Sequence, residues 1–139
     1  MNDVILQLDS ISKSFEGKLI INSLDLEIRR NEFITLLGPS GCGKTTTLRI
    51  IGGFEKPDEG RVLFEGKDIT GFPPDKRNVN TVFQKYSLFP HMSVEENISF
   101  GLKLKKKSGQ YIKDKIQYAL KLVNMDGYEF RKPDSLSGG

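Results

Sequence analysis

Eight consecutive residues could hold a phosphate. Gly38-Pro39-Ser40-Gly41-Cys42-Gly43-Lys44-Thr45 matches the pattern G-x-x-x-x-G-K-[ST] without a deviation. Glycines let successive backbone N–H groups turn toward an anion, and a helix that starts there adds its partial positive charge at the same spot. In such a loop Lys44 reaches the β- and γ-phosphates, the Thr45 hydroxyl ligates Mg²⁺, and Thr46 is placed to bond an α-phosphate oxygen. Gly-rich turns open helices in many folds, so the pattern needs a strand before it and a helix after it. Cys42 reads as loop packing, because no base that could activate its thiol is evident.

The flanking elements supply that context. Phe33 to Leu37 is a short, nearly continuous apolar run ending in glycine, as a strand buried on both faces should be. Thr45 to Ile51 carries no breaker and is stopped by Gly52-Gly53, so it reads as a helix. Upstream, Val4 to Leu8 and Leu24 to Ile28 alternate apolar and polar residues with the period of half-buried strands. Downstream, Pro57-Asp58-Glu59-Gly60 is turn chemistry, Arg61 to Phe64 a strand, Gly71 to Asp75 a loop without regular structure, and Val79 to Phe83 another buried strand. Ser93-Val94-Glu95-Glu96 has the spacing of a capping box and predicts a helix from Val94. Ile112, Ile116, Ala119, Leu120 and Val123 share one face of a 3.6-residue period and predict a second helix, with the lysine-rich stretch 103–107 as a solvated connection.

The bulk properties narrow the class. At 139 residues the chain fits one small domain or a piece of a larger one. With 37% hydrophobic and 28% charged residues it is expected to fold rather than stay disordered. A net charge of +3 is too small and dispersed to imply nucleic-acid binding. A single cysteine excludes an internal disulfide and suits a reducing compartment. No stretch approaches the ~18 apolar residues of a spanning helix, so a membrane role is expected to be peripheral.

A phosphate loop alone leaves kinases, GTPases, helicases and transporters open. Three more elements bear on the choice: Phe15 in Ser14-Phe15-Glu16-Gly17, Gln84 at the end of the Val79–Phe83 run, and Leu136-Ser137-Gly138-Gly139. In this order and spacing, the sequence resembles the nucleotide-binding subunits of ABC transporters over essentially its whole length. The resemblance implies an α/β fold. It would comprise a P-loop NTPase (RecA-like) core with an N-terminal antiparallel β subdomain, over about 1–85, and the start of an α-helical signature subdomain, over about 93–139. It implies that Phe15 stacks on adenine, that Gln84 touches Mg²⁺ and senses the γ-phosphate, and that Ser137, Gly138 and Gly139 grip the γ-phosphate held by a second copy. ATP and Mg²⁺ are the implied cofactors. A second ATPase subunit, transmembrane permease subunits and, indirectly, an extracytoplasmic solute-binding protein are the implied partners, at the cytoplasmic face of the membrane.

The segments 78–84 and 88–98 closely resemble importer subunits, and 78–84 is most similar to spermidine/putrescine importers, with other solutes (iron, sulfate, sugar) or a soluble non-transport ABC or P-loop protein as alternatives. An unrelated P-loop GTPase would call for an Asn-Lys-x-Asp motif, which is absent. The segment 86–97 lies where relatives receive their permeases, making Phe89, Pro90 and Met92 contact candidates, and His91 reads as a loop or interface residue. The sequence stops within the signature motif, before a Walker B strand, so the expectation is ATP binding by Lys44 and its neighbours without turnover. The apolar runs 33–37 and 79–83 are expected to be exposed and the product aggregation-prone.

Overall fold

The computed structural model describes residues 3–83 and 87–136. The chain divides into two compact units, Met1–Thr81 and Val82–Gly139.

The first unit is built on a four-stranded antiparallel sheet. Its strands are β1 (Val4–Phe15), β2 (Lys18–Arg29), β3 (Glu59–Phe64) and β4 (Lys67–Asp68), in the order β2-β1-β3-β4. Both N-terminal strands are longer than the alternating stretches predict. β1 accommodates its length by slipping register between Leu8 and Ile11, where the Ser10 backbone N–H donates to the Asp25 carboxylate at 2.7 Å. Leu6, Leu8, Ile11, Ile21 and Val62 point to one face and are buried there with Ile50 and Ile69. Ile50 comes from α1 (Lys44–Gly52), the helix that packs its apolar side onto the sheet. Burying a side chain of this size contributes ~1.5–3 kcal/mol, so Ile50 is the main anchor of that helix.

Two expected buried strands are not strands. Residues 33–37 and 79–83 carry no strand pairing; Phe33 is 93%, Leu37 88% and Val82 98% exposed. A strand exists only where a neighbouring strand takes up its N–H and C=O groups, and no strand among the described residues does so for these runs. The exposure expected for them holds at Phe33, Leu37 and Val82, while Ile34, Leu36 and Val79 are half-buried. A smaller difference is a 3₁₀ turn at Pro74–Lys76, which overlaps the end of the stretch expected to be irregular.

The second unit holds α2 (Val94–Leu104) and α3 (Gly109–Leu122). α2 begins as the sequence predicts. The Ser93 hydroxyl accepts from the Glu96 N–H at 3.2 Å, and the Glu96 carboxylate accepts from the Ser93 N–H at 2.7 Å. α3 starts three residues before the predicted point because the Ser108 hydroxyl caps it by accepting from the Tyr111 N–H at 3.3 Å. Ile116 and Leu120 are its buried positions.

Candidate phosphate-binding site

The loop from Gly38 to Gly43 joins the segment 33–37 to α1. Its far end is fixed to the sheet by the lack of a side chain at Gly43, where a Cβ would come within 3.2 Å of the Ile20 carbonyl oxygen. Within the loop, the Cys42 N–H donates to the Pro39 carbonyl at 3.3 Å and closes a turn. Gly43 caps α1 without any side chain, and no acidic residue occupies its first turn. The first amides of a helix have no carbonyl four residues back to receive them, so this helix presents uncapped donors.

Those donors border a cavity of about 380 Å³ lined by Phe15, Ile20, Ser40, Gly41, Gly43, Lys44, Thr45 and Thr46. The lining holds one cation, hydroxyls and amide donors, and no carboxylate. That composition suits an anion. Lys44 curls back over the loop, its Nζ donating to the Gly38 carbonyl at 2.6 Å and the Pro39 carbonyl at 2.8 Å, with Cys42 Sγ 3.4 Å away. These bonds hold the ammonium at the loop's mouth. Thr47, unremarked in the sequence, is buried and donates its hydroxyl to the Gly43 carbonyl at 2.9 Å, stiffening the loop-to-helix junction.

Phe15 ends β1, borders the same cavity and is 42% exposed, so part of its ring is free to meet a flat group. A set of charges that sequence reasoning missed fixes its surroundings. Lys13 Nζ lies 5.2 Å from the Phe15 ring centre and 3.0 Å from both Glu55 and Asp58 carboxylate oxygens. Asp58 also accepts from the Ser14 N–H at 2.7 Å. The Ser14 N–H and then Lys13 hold the Asp58 carboxyl below its ordinary range, and the hydrogen bonds that Lys13 donates to Asp58 and Glu55 raise its ammonium. Forty-five positions separate Lys13 from Asp58, and no local pattern signals a pairing that only the sheet creates.

Of the sequence candidates, Phe15, Ser40, Gly41, Gly43, Lys44, Thr45 and Thr46 share this cavity, while Gly38, Pro39 and Cys42 shape the loop behind it. Gln84, Ser137, Gly138 and Gly139 lie outside the described residues. In the second unit, Phe89 stacks obliquely on Phe100 with ring centres 4.6 Å apart and meets His91 edge-on at 6.1 Å. Asn97 secures that loop: its side chain accepts from the Phe89 N–H and donates to the carbonyls of Phe89, Met92 and Ser93.

A family model described as ABC transporter matches residues 21–139. The chain is 61% identical over 137 residues to the spermidine/putrescine import ATP-binding protein PotA of Acetivibrio thermocellus, and 57% identical over 139 residues to the PotA of Clostridium novyi. These alignments cover 99% and 100% of the chain but 39% and 40% of the relatives, so the chain spans about two fifths of their length. Among solved structures, an ATP-binding cassette of an ABC transporter superposes with a TM-score of 0.83 at 28% identity, over 97% of this chain and 60% of that one. The phosphate loop, the antiparallel sheet beside it and the family match over residues 21–139 agree: the chain belongs to the ABC transporter family.

Proposed function

We propose that this chain is the nucleotide-gripping part of the ATP-binding subunit of an importer, and that the solute is a polyamine such as spermidine or putrescine. The observation that carries the nucleotide reading is the cavity in which Phe15, the α1 amides and the Lys44 ammonium meet with no carboxylate among them. An aromatic face for a purine and donors for a polyphosphate stand at one site, which fits ATP better than a bare phosphate. Lys44 exchanges its bonds to the Gly38 and Pro39 carbonyls for β- and γ-phosphate oxygens, and Thr46 donates to the α-phosphate. Among the described residues no three His, Cys, Asp or Glu gather as a metal cage. Thr45 and Gln84, with the phosphates themselves, are the proposed Mg²⁺ ligands. Mg²⁺, when bound, offsets charge on the β- and γ-phosphates.

Among the described residues that line the cavity there is no carboxylate or histidine, and the groups present support nucleotide binding. Ser137, Gly138 and Gly139 are proposed to complete the γ-phosphate contacts of a second copy, with residues of about 1–85 forming the β subdomain and P-loop core and about 93–139 the helical signature subdomain. ATP-driven closure of that dimer would drive permease subunits at the cytoplasmic face of the membrane. No helix of the described residues is long and apolar enough to cross a membrane. The polyamine assignment rests on likeness to the PotA proteins.

Calorimetric titration with Mg²⁺-ATP tests the site. Binding by the wild-type protein that is lost in Lys44→Ala supports it, and equal binding by both sinks it. Uptake of labelled spermidine by cells with and without the gene tests the solute; unchanged uptake of spermidine and putrescine would remove the polyamine assignment and leave the ATP site standing.

A further inference from the structure

Arg77 is 7% exposed, and its guanidinium gives all four of its hydrogen bonds to backbone carbonyls. Nη1 donates to Ile50 at 2.7 Å and to Ile51 at 2.9 Å; Nε donates to Phe72 at 2.8 Å and Nη2 to Thr70 at 2.9 Å. Buried arginines ordinarily face an acid. Here the counter-charge is the carbonyl end of α1, whose last turn contains Ile50 and Ile51 and carries the negative pole of the helix. Burial pushes the guanidinium pKa down, yet the group stays cationic at any physiological pH. The socket is cut to shape at Gly53, the C-cap of α1, where a Cβ would lie 2.6 Å from Arg77 Nε.

The opposite end of the same helix begins at Lys44 and frames the phosphate cavity. A nine-residue helix is a rod of ~13 Å, so a tilt at one end displaces donors at the other. Amides that bind an anion well are those already aimed at it. We propose that Arg77 is a positioning residue for the phosphate grip: by clamping the C-terminal carbonyls of α1 it holds the helix so that its N-terminal amides and Lys44 meet the nucleotide's phosphates. Arg77 and the phosphates then complement the two poles of one helix from opposite ends. This inference rests on the ATP site proposed above.

The test is calorimetric titration of the full-length protein with Mg²⁺-ATP, reading both Kd and the number of sites for wild type, Arg77→Met, Arg77→Lys and Gly53→Ala. Misplaced donors weaken every site, so Arg77→Met is expected to raise Kd at least ~10-fold at unchanged site number, with Arg77→Lys between it and wild type. A merely structural arginine would instead reduce the number of competent sites and leave Kd alone, which would overturn the proposal. Should Arg77→Met fail to fold, Arg77→Lys and Gly53→Ala decide on the same readout: a raised Kd supports it, an unchanged one overturns it. Wild-type protein that binds no ATP would overturn the ATP site itself and this inference with it. Normal wild-type binding with unaltered Arg77 variants would overturn the inference alone.

Discussion

Gly38 and Cys42 face each other so closely that a methyl on Gly38 would lie 2.5 Å from Cys42 Sγ, but 3.7 Å from Cys42 Cβ. The obstacle is therefore the sulfur and not the backbone. Gly38→Ala is expected to distort the loop that carries Lys44 and weaken ATP binding at least ~10-fold, as a misplaced charge-assisted contact does. Gly38→Ala with Cys42→Ala relieves the contact with the sulfur but keeps alanine at a φ of 159°, which side chains rarely adopt, so it is expected to recover only part of the loss. Calorimetry on the two variants checks the pair; a double variant no better than the single one would show that the thiol is not the obstruction.

Phe15 gives a prediction that separates base from phosphate. Its ring borders the cavity, and stacking of an aromatic side chain on a base is worth ~1–3 kcal/mol. Phe15→Ala is expected to raise the Kd for ATP by roughly ten-fold or more while leaving that for inorganic tripolyphosphate unchanged. Equal losses for both ligands would mean that Phe15 shapes the cavity and does not touch adenine.

Acid should loosen α2 through its capping box. The Ser93 backbone N–H, and after it the Ser93 hydroxyl, keep the Glu96 carboxyl below its ordinary range. A depressed folded pKa gives stabilisation that is complete above the unfolded value of ~4.3 and is lost as pH falls through the folded one. Glu96→Gln removes the charge and keeps the shape, so the melting temperatures of variant and wild type are expected to differ at neutral pH and to converge as pH falls below the ordinary carboxylate range and through the lowered folded-state value. Asp58 and Asp68 are also held low but titrate alike in both proteins and cancel. Parallel melting curves from pH 7 to 3 would count against any role for the Glu96 charge.

What the sequence made legible was what depends on neighbours in the chain. The glycines and Lys44 of the loop, the Ser93–Glu96 reciprocal cap and the apolar face of α3 are local chemistry, and each is recognisable within a few residues. Residues 33–37 misled because an apolar run records what a segment would bury and says nothing of whether a partner strand stands beside it. Lys13 with Asp58, and Arg77 with the end of α1, were illegible for the opposite reason: each pair is distant in sequence, and each side chain alone is an ordinary surface charge. Asn97 escaped notice because its four bonds depend on the shape of the preceding loop.

Gly60 shows how a turn residue and a strand residue can be one position. It belongs to β3, yet its φ is 87°, and a Cβ there would strike the carbonyl oxygens of Asp9 and Ser10, where β1 slips register. Gly60→Ala must therefore meet two costs: about 1 kcal/mol for the left-handed backbone, and a clash with main chain that cannot rotate away. Gly66 has a φ of 77° with nothing within 4 Å of its would-be Cβ, so Gly66→Ala meets only the first. Urea unfolding is expected to place Gly66→Ala about 1 kcal/mol below wild type and Gly60→Ala at least ~3 kcal/mol below it. Equal losses would mean that the β1 slip relaxes to admit a methyl group. A gap of ~2 kcal/mol would measure how rigidly the two strands meet beneath Lys13, Asp58 and the Phe15 edge of the cavity.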